Sequence, residues 1–425
     1  MSESQPVLPF AGLKPSFKSR IAERIAGSRD PIARLRAGRA LELYYEAGDP
    51  HSQLAAALAR RLLPRLRVPL HLRLVPAPSA NTYPEEARQR AFAALDAARI
   101  AECHGLPVPQ LLTTPQRQAL EASLASCAHD DATAFLAAEA AAMEDFAAGR
   151  APPANADRSR RQAVMEANAA RRERLGHYLP AMWQYRGEWF WALDRLEFLQ
   201  QRLAADGVLS DESTPLSDFD PSRFQPEGSV AADAPLEFWF SFRSPYSYLA
   251  AVEMLRLRAR GLHPKLEVRP VLPMVMRGLP VPRVKRLYIV RDVKRCADAQ
   301  GIPFGRIHDP VGAGAFRLLT VFPYDADTDT QLRYCAIAGQ SVWAEGIDVS
   351  KDEGLRSVFE RCGLDWSAAQ RKLAQGIDTK QAEANREALF AAGLWGVPSF
   401  RRGGFTTWGQ DRMWMLEPQA LVAKS

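Results

Sequence analysis

The chain has 425 residues, of which 47% are hydrophobic and 24% charged, and its formal net charge is +6. This length predicts two or three domains, and the composition is that of a soluble globular protein. Nucleic-acid binding is disfavoured, because the densest basic run, 158–174, is interleaved with Glu166 and Glu173 as on a solvated helix face. The charge balance better suits a basic cleft that receives small acidic molecules.

The sequence carries no signal for a membrane, for secretion or for a metal. No run approaches the roughly eighteen apolar residues of a membrane helix, and the start, M-S-E-S-Q-P-V-L-P-F, does not resemble a signal peptide. No two of the seven histidines lie within one helical turn, so we expect no metal site. The five cysteines include no C-x-x-C pair, which indicates free thiols. We therefore expect a cytoplasmic protein without a membrane partner.

The first half of the chain opens on a strand-like segment after a lead-in of residues 1–40. From Leu41 the sequence reads L-E-L-Y-Y-E-A-G-D-P-H-S-Q-L-A-A, and Ala- and Leu-rich helical stretches follow at 84–103 and 115–149. The half ends near residue 203. Residues 204–235 are rich in Asp, Ser, Pro and Gly, so we predict that they form a linker.

The second half opens on a similar segment, L-E-F-W-F-S-F-R-S-P-Y-S-Y-L-A-A at 236–251, which follows the first at an offset of 195 residues. Apolar and aromatic residues over 236–242 predict a buried strand. Ser244-Pro245 predicts the start of a helix, because Pro in the first turn loses no hydrogen bond. A helix N-terminus favours a thiolate, phosphate or carboxylate, but Ser244 could equally serve only as the helix cap.

The end of the second half predicts a hairpin followed by a helix. After helical stretches at 283–300 and 327–393, the segment W-G-V-P-S-F-R-R-G-G-F-T-T-W-G-Q-D-R leads through Pro398 into two short strands. Gly403-Gly404 marks the turn between them, and the helix is expected from about Gln410.

Two further matches extend the similarity between the halves. The segment D-A-A-R-I-A-E-C-H-G-L-P from Asp96 matches D-V-K-R-C-A-D-A-Q-G-I-P from Asp292, at an offset of 196 residues. Near the ends, Leu179-Pro180 followed by W-A-L-D-R matches Val397-Pro398 followed by W-G-Q-D-R. A period of about 200 residues is too long for a solenoid, so we predict duplicated domains at 41–203 and 236–425. Asp49 stands in the place of Ser244, which predicts a degenerate first copy.

Three motifs of the second half together resemble those of a known family. They are S-P-Y-S-Y-L at Ser244–Leu249, G-V-P at Gly396–Pro398 and W-G-Q-D-R at Trp408–Arg412. Their order and separation are similar to those in the 2-hydroxychromene-2-carboxylate isomerase and kappa-class glutathione transferase branch of the DsbA-like thioredoxin superfamily. The resemblance implies an α/β protein with two tandem thioredoxin-like (DsbA-like) domains, each with an α-helical insertion.

The resemblance also implies glutathione as the cofactor and a glutathione-dependent cis–trans isomerase that acts on an aromatic catabolic intermediate. A kappa-like glutathione transferase and a non-catalytic thioredoxin-fold binding protein remain the alternatives. The partner would be a small aromatic or carboxylate substrate. We expect either a homodimer or an intrachain pseudo-dimer of the two halves.

The same resemblance implies roles for residues near Ser244. Redox relatives place C-x-x-C where this chain has Ser244-Pro245-Tyr246-Ser247, so dithiol exchange at this position is chemically excluded. Ser244 would instead stabilise the glutathione thiolate, and Ser247 would support it. Val397 and Pro398, joined by a cis peptide bond, would expose the Val397 backbone to the extended glutathione peptide.

Charged and amide side chains complete the implied site. Gln410 and Asp411 begin the last helix, where Asp411 would hold the ammonium of the γ-glutamyl end or serve only as a first-turn acid. Arg277 would take a carboxylate of glutathione or substrate, or it is an exposed loop charge.

Overall fold

The computed structural model describes residue 8 and residues 17–27, 31–80, 84–128, 130–150, 158–226, 234–261, 265–279 and 281–416. The chain forms two compact units. The N-terminal unit consists of Arg29–Phe224 and Pro282–Tyr288. The C-terminal unit consists of Met1–Ser28, Gln225–Val281 and Ile289–Ser425. The last part of the predicted second domain, 417–425, and positions 227–233 of the predicted linker lie outside the described residues.

The lead-in contains a helix that packs on the C-terminal unit. This helix, α1 (Phe17–Gly27), is anchored through Ser19, whose Oγ donates a hydrogen bond to the Gly346 carbonyl oxygen at 3.4 Å. Glu23 forms an ion pair with Arg306 at 3.2 Å. The segment is therefore part of the C-terminal unit although it lies more than 200 residues before most of that unit in sequence.

The N-terminal unit is built on a four-stranded sheet. Its strands are β1 (Leu41–Tyr45), β2 (Leu70–Leu74), β3 (Met182–Tyr185) and β4 (Glu188–Trp191). They lie in the order β2-β1-β3-β4, with β1 parallel to β2 and antiparallel to β3, and β3 antiparallel to β4. Arg186 and Gly187 form the β3–β4 turn with positive φ angles of 48° and 84°, as a two-residue hairpin turn of this hand requires.

Helices surround this sheet. They are α2 (Pro31–Ala37), α3 (Pro50–Leu62), α4 (Glu86–Cys103), α5 (Thr114–Ser126), α6 (Ala132–Ala147), α7 (Arg158–Arg174) and α8 (Leu196–Ala205). Helices α4 to α7 lie between β2 and β3 in sequence, so the predicted helical insertion of the first half is confirmed. Leucine, alanine and aromatic side chains from β1 and from helices α3, α5, α6 and α8 form the main core.

Part of the predicted linker belongs to this core. Leu209 and Leu216 are 1% and 3% exposed within the hydrophobic cluster of the N-terminal unit, and Phe224 is also buried. Arg65 donates to the Asp211 carbonyl oxygen at 2.7 Å and holds the segment in place. The prediction of a linker over 204–224 is therefore wrong, because a few well-spaced apolar residues are enough to dock a polar segment.

The C-terminal unit has a sheet of the same order and the same strand directions. Its strands are β5 (Leu236–Phe240), β6 (Leu266–Pro270), β7 (Ser399–Arg402) and β8 (Phe405–Trp408), in the order β6-β5-β7-β8. Strand β5 is parallel to β6 and antiparallel to β7, and β7 and β8 form the predicted hairpin. The helices are α9 (Pro245–Ala259), α10 (Arg283–Ala299), of which 283–288 belong to the N-terminal unit, α11 (Ala313–Thr320), α12 (Thr328–Gln340), α13 (Asp352–Cys362), α14 (Trp366–Ala374) and α15 (Lys380–Ala391).

The last predicted helix takes a tighter form, since Gln410–Leu416 is a 3-10 helix. The predicted insertion of the second half is confirmed, with α10 to α15 between β6 and β7. Among the helices of the described ranges, none has the length and hydropathy to cross a membrane.

Helix α12 packs closely on α9 through a glycine. A Cβ at Gly339 would lie 2.6 Å from Cδ2 and 2.9 Å from Cβ of Tyr248, and Tyr248 is fully buried. Contacts this short require side chains or backbone to move. The absence of a side chain at Gly339 therefore sets the distance between the two helices.

We predict that Gly339→Ala lowers the free energy of unfolding by about 1–2 kcal/mol, because the overpacking cost exceeds the gain of about 1 kcal/mol in helix propensity. The matched control is Gly404→Ala in the β7–β8 turn, where an added Cβ meets nothing within 4 Å. Thermal unfolding of both variants checks this. Equal melting temperatures for the two would contradict the packing argument.

Candidate active site

The site begins where strand β5 passes into helix α9. Ser244 is the N-cap of α9, and its Oγ accepts a hydrogen bond from the Ser247 N–H at 3.1 Å. Pro245 occupies the first turn, as predicted, because it has no N–H to leave unpaired. The positive end of the helix dipole therefore lies at the Ser244 hydroxyl.

A second loop lies against this helix start. The Val397–Pro398 peptide bond is cis, as predicted. The Ser244 hydroxyl donates to the Val397 carbonyl oxygen at 3.4 Å, which brings two segments 153 residues apart in sequence into contact. Within the described residues, no acceptor pairs with the Val397 N–H. This N–H, next to a serine hydroxyl, can receive an acceptor from an extended ligand.

The Val397–Pro398 loop is fixed from its far side by β8. A Cβ at Gly396 would lie 2.8 Å from Nε1 of Trp408, so glycine is required for the indole to pack here. Trp395 meets the same indole edge to face at a centroid distance of 4.9 Å. The Gly409 N–H donates to the Pro398 carbonyl oxygen at 2.9 Å. The position of the cis-proline loop is thus set by packing and by hydrogen bonding.

The amide and carboxylate predicted for the site lie next to this loop. Gln410 is buried, and its Oε1 accepts from Gln300 Nε2 at 3.1 Å while its Nε2 donates to the Asp411 carboxylate. Asp411 itself is only half-buried. Gln410 therefore holds the Asp411 carboxylate beside the Val397–Pro398 loop.

Two predicted residues are placed differently from the rest. Ser247 is fully buried, and its hydroxyl accepts from the Ser241 N–H at 3.4 Å. It braces the loop before the helix, and its contact with Ser244 is made by its backbone N–H. Arg277 ends a short 3-10 turn, and its guanidinium lies 5.9 Å from the centre of the Phe390 ring on α15. The structure therefore joins Ser244, Val397, Pro398, Gln410 and Asp411 into one region.

Two polar contacts beside Ser244 were missed from the sequence. The Tyr246 hydroxyl donates to Oδ2 of Asp292 on α10 at 2.7 Å, and this carboxylate is 1% exposed. Arg243 forms a two-pronged ion pair with Asp309, with both distances 2.8 Å. The alignment of the two halves matches Tyr246 with His51 and Asp292 with Asp96, and this was a signal for the first contact. In the structure His51 and Asp96 also pair, at 3.6 Å.

The corresponding position in the N-terminal unit is acidic. Asp49 caps α3 and accepts from both N and Oγ of Ser52, at 2.8 and 2.7 Å. Glu46 lies beside it, 3% exposed and paired with Arg90 at 3.1 Å. Burial and the negative charge of Asp49 raise the pKa of Glu46 to about 7. Two carboxyl groups therefore stand where the C-terminal unit presents serine hydroxyls.

The structure shifts the alignment of the two halves by one residue near their ends. The Gly409 N–H donates to the Pro398 carbonyl oxygen at 2.9 Å. In the N-terminal unit, the Ala192 N–H donates in the same way to the Ala181 carbonyl oxygen at 2.7 Å. Ala181 therefore occupies the place of Pro398, and the prediction that Leu179-Pro180 matches Val397-Pro398 is wrong. Among the described residues, Val397–Pro398 is the single cis peptide bond.

Metal ligands do not gather in this region or elsewhere in the parts of the chain that the structure describes. All five cysteines are free thiols. The C-terminal half combines a thioredoxin-like sheet, a helix capped by Ser244 and a cis-proline loop, and residues 235–420 match the family model of the DSBA-like thioredoxin domain. This half of the chain therefore has the thioredoxin-like DsbA fold.

Among DsbA-like proteins, the C-terminal half is similar to 2-hydroxychromene-2-carboxylate isomerases. The isomerase from Pseudomonas putida is 29% identical over 189 residues, which are 43% of this chain and 92% of the relative. The isomerase from Sphingobium xenophagum is 26% identical over 196 residues, 44% of this chain and 97% of the relative. A solved structure of a 2-hydroxychromene-2-carboxylate isomerase is 27% identical and covers 43% of this chain and 92% of its own, with a TM-score of 0.37.

We predict that stability falls as the pH rises through the titration of Glu46. Its pKa is about 7 in the folded chain against an ordinary value of 4.5, so the folded chain binds more protons than the unfolded chain between these values. The stabilisation is complete below about pH 4.5 and is lost as the pH rises through about 7. Over this pH range the free energy of unfolding of the parent chain should fall by roughly 2 to 5 kcal/mol because of Glu46. In Glu46→Gln this fall should be absent.

Denaturant unfolding at pH 5 and pH 8 measures this difference. The control is Glu197→Gln on α8, because Glu197 is exposed. If Glu46→Gln and the control show the same pH dependence as the parent chain, Glu46 is not the group that titrates.

Proposed function

We propose that the C-terminal half is a glutathione-dependent cis–trans isomerase of the 2-hydroxychromene-2-carboxylate type. The single observation that carries this proposal is the Ser244 hydroxyl, held at the N-terminus of α9 against Val397 at 3.4 Å. In this fold a C-x-x-C motif supplies a thiolate at this position, whereas this chain has no sulfur between Ser244 and Ser247. The reacting sulfur must then come from a bound molecule.

The residues present fit glutathione along its length. At the sulfur end, the Ser244 O–H is the donor, and its 3.4 Å bond to a carbonyl is long enough to be exchanged for a thiolate. In the middle, the Val397 N–H has no acceptor among the described residues and would pair with the peptide. At the amino end, Asp411, oriented by Gln410, would receive the ammonium group.

The chain's own groups would favour the charged form of sulfur and keep the reactants aligned. Glutathione supplies a thiolate that adds reversibly to a conjugated carbon, so that a C=C bond becomes free to rotate and glutathione is returned unchanged. Ser244 and the positive end of the α9 dipole would stabilise negative charge at the sulfur position. Arg277 would bind the substrate carboxylate, and the rigid Val397–Pro398 loop would orient the substrate.

The N-terminal half supports a proposal about origin rather than about activity. We propose that the two halves arose by duplication and that the first copy lost the glutathione site. Both sheets carry a buried glutamate paired with an arginine at corresponding positions, Glu42–Arg73 at 2.6 Å and Glu237–Arg269 at 2.8 Å. The free thiols in both halves suit a reducing compartment, and we propose the cytoplasm.

The function is tested with 2-hydroxychromene-2-carboxylate as substrate, with and without glutathione. We expect conversion to the ring-opened trans isomer that requires glutathione and consumes none. Consumption of glutathione would identify a transferase, and conversion at the same rate without glutathione would exclude the proposed role of sulfur.

We predict that Ser244→Ala lowers glutathione-dependent turnover by about one to two decades, because it removes a charge-assisted hydrogen bond worth roughly 1.5–3 kcal/mol. Loss of the N-cap costs about 1 kcal/mol of stability, so the fold should persist, as circular dichroism can check. Asp49→Ala, the matched change in the N-terminal unit, should leave turnover unaltered. Turnover by Ser244→Ala at the parental rate would remove Ser244 from the site.

We predict that Asp411→Ala weakens glutathione binding more than it lowers the rate at saturating glutathione. The ammonium that Asp411 would hold is remote from sulfur, so it is bound equally in the ground and transition states. Calorimetric titration and steady-state kinetics together measure the two effects. A fall in the saturated rate at unchanged glutathione affinity is the contrary result.

A further inference from the structure

The N-terminal unit contains a buried arginine that forms no ion pair with any of the described residues. Arg172, near the end of α7, is 6% exposed. Within the part of the chain that the structure describes, its Nε and Nη1 have no hydrogen-bond partner. Burial lowers the pKa of Arg172 to about 10. A buried cation is stable in a fold only when an anion or several acceptors surround it.

The fold itself does not require a charge at this position. Asn168 on α7 donates to the carbonyl oxygen of Leu74, the last residue of β2, at 3.0 Å. Asn385 on α15 donates to the carbonyl oxygen of Pro270, the last residue of β6, at 2.8 Å. The residue four positions after Asn385 is Leu389, which is 2% exposed. An apolar side chain thus fills in one unit the place that Arg172 fills in the other.

Two buried carboxylates of this region are engaged with other cations, and the carboxylate of Glu173, whose charge also raises the pKa of Arg172, is exposed. Glu42 pairs with Arg73 at 2.6 Å and with Arg171 at 2.8 Å. Glu46, whose charge raises the pKa of Arg172, makes its ion pair with Arg90 at 3.1 Å. The guanidinium therefore remains available for a further anion.

The position of Arg172 is suited to a ligand. The Asn168–Leu74 bond places this part of α7 at the carboxyl end of β2, and the carboxyl ends of parallel strands are where open α/β sheets bind ligands. Aromatic rings lie beside it. His177, whose N–H donates to the Arg172 carbonyl oxygen at 3.0 Å, contacts Trp189 at a centroid distance of 4.7 Å, and Tyr44 contacts Trp189 at 5.3 Å.

We propose that the N-terminal unit binds a small organic carboxylate, carried on a flat unsaturated or aromatic skeleton, at the guanidinium of Arg172. The planar guanidinium matches a carboxylate, and the aromatic rings match a flat carbon skeleton. This site is separate from the proposed glutathione site and does not depend on it. In the N-terminal unit, Asp49 and Ala181 occupy the positions that correspond to Ser244 and Pro398, so we do not expect its ligand to be glutathione.

Crystals of the full chain soaked in 4-iodobenzoate locate the site directly. We expect an anomalous iodine peak in the N-terminal unit, with the carboxylate on the Arg172 guanidinium. A peak confined to the C-terminal unit, or no peak in either unit, overturns the proposal.

Calorimetric titration of the full chain with benzoate, and separately with inorganic phosphate, tests the same inference in solution. Arg172→Leu, which copies Leu389, should weaken benzoate binding at least about tenfold and raise the melting temperature of the chain without ligand. The control Arg174→Leu changes an exposed arginine of the same helix and should alter neither quantity.

Equal benzoate affinity in the parent and in Arg172→Leu refutes the site, as does tighter binding of phosphate than of benzoate. Glutathione-dependent turnover should be unchanged in Arg172→Leu. Failure of the carboxylate site therefore leaves the proposed isomerase untouched, and the reverse also holds.

Discussion

The N-terminus of α9 lies against the Val397–Pro398 loop, and the chemistry available to the C-terminal unit depends on this contact. The Ser244 oxygen caps the helix by accepting from Ser247 at 3.1 Å, so its hydrogen points outward, to the Val397 carbonyl oxygen at 3.4 Å. The capping bond therefore directs the hydroxyl donor as well as stabilising the helix. The indole of Trp408 packs on the Val397–Pro398 loop and keeps the loop in place.

The two units share one framework and differ in a few side chains. Their sheets have the same order and strand directions, and in each a side chain at the helix cap accepts from an N–H three residues later, from Asp49 in one and Ser244 in the other. Aspartate is as good a cap as serine, so the fold tolerates the exchange. The proposed thiolate chemistry would not tolerate it, because a carboxylate repels a thiolate where a hydroxyl would donate to it. A position can therefore keep its structural role while its chemical role changes.

Buried charges show the same distinction. Glu237 is flanked by Arg269 and Arg401, and both guanidinium groups also lie over the ring of Trp239. Such a group is satisfied within the unit and needs no ligand, since each ion has a partner. Arg172 lies at a position where the other unit has an apolar residue, and its Nε and Nη1 find no partner among the described residues. This contrast is the reason to assign the ion pairs of Glu237 to stabilisation of the fold and Arg172 to ligand binding.

Local chemistry in the sequence determined much of this protein. The strand before Ser244, the helix start at Pro245 and the β7–β8 hairpin follow from apolar patterning, from the missing N–H of proline and from paired glycines, all of which act over a few residues. Tertiary structure decided the rest. In the N-terminal unit, strand hydrogen bonds put Ala181 at the position that corresponds to Pro398, because a register is set by the partner strand. Burial of Arg172 arises from packing between segments far apart in sequence, and local sequence patterns do not reveal which distant groups will meet.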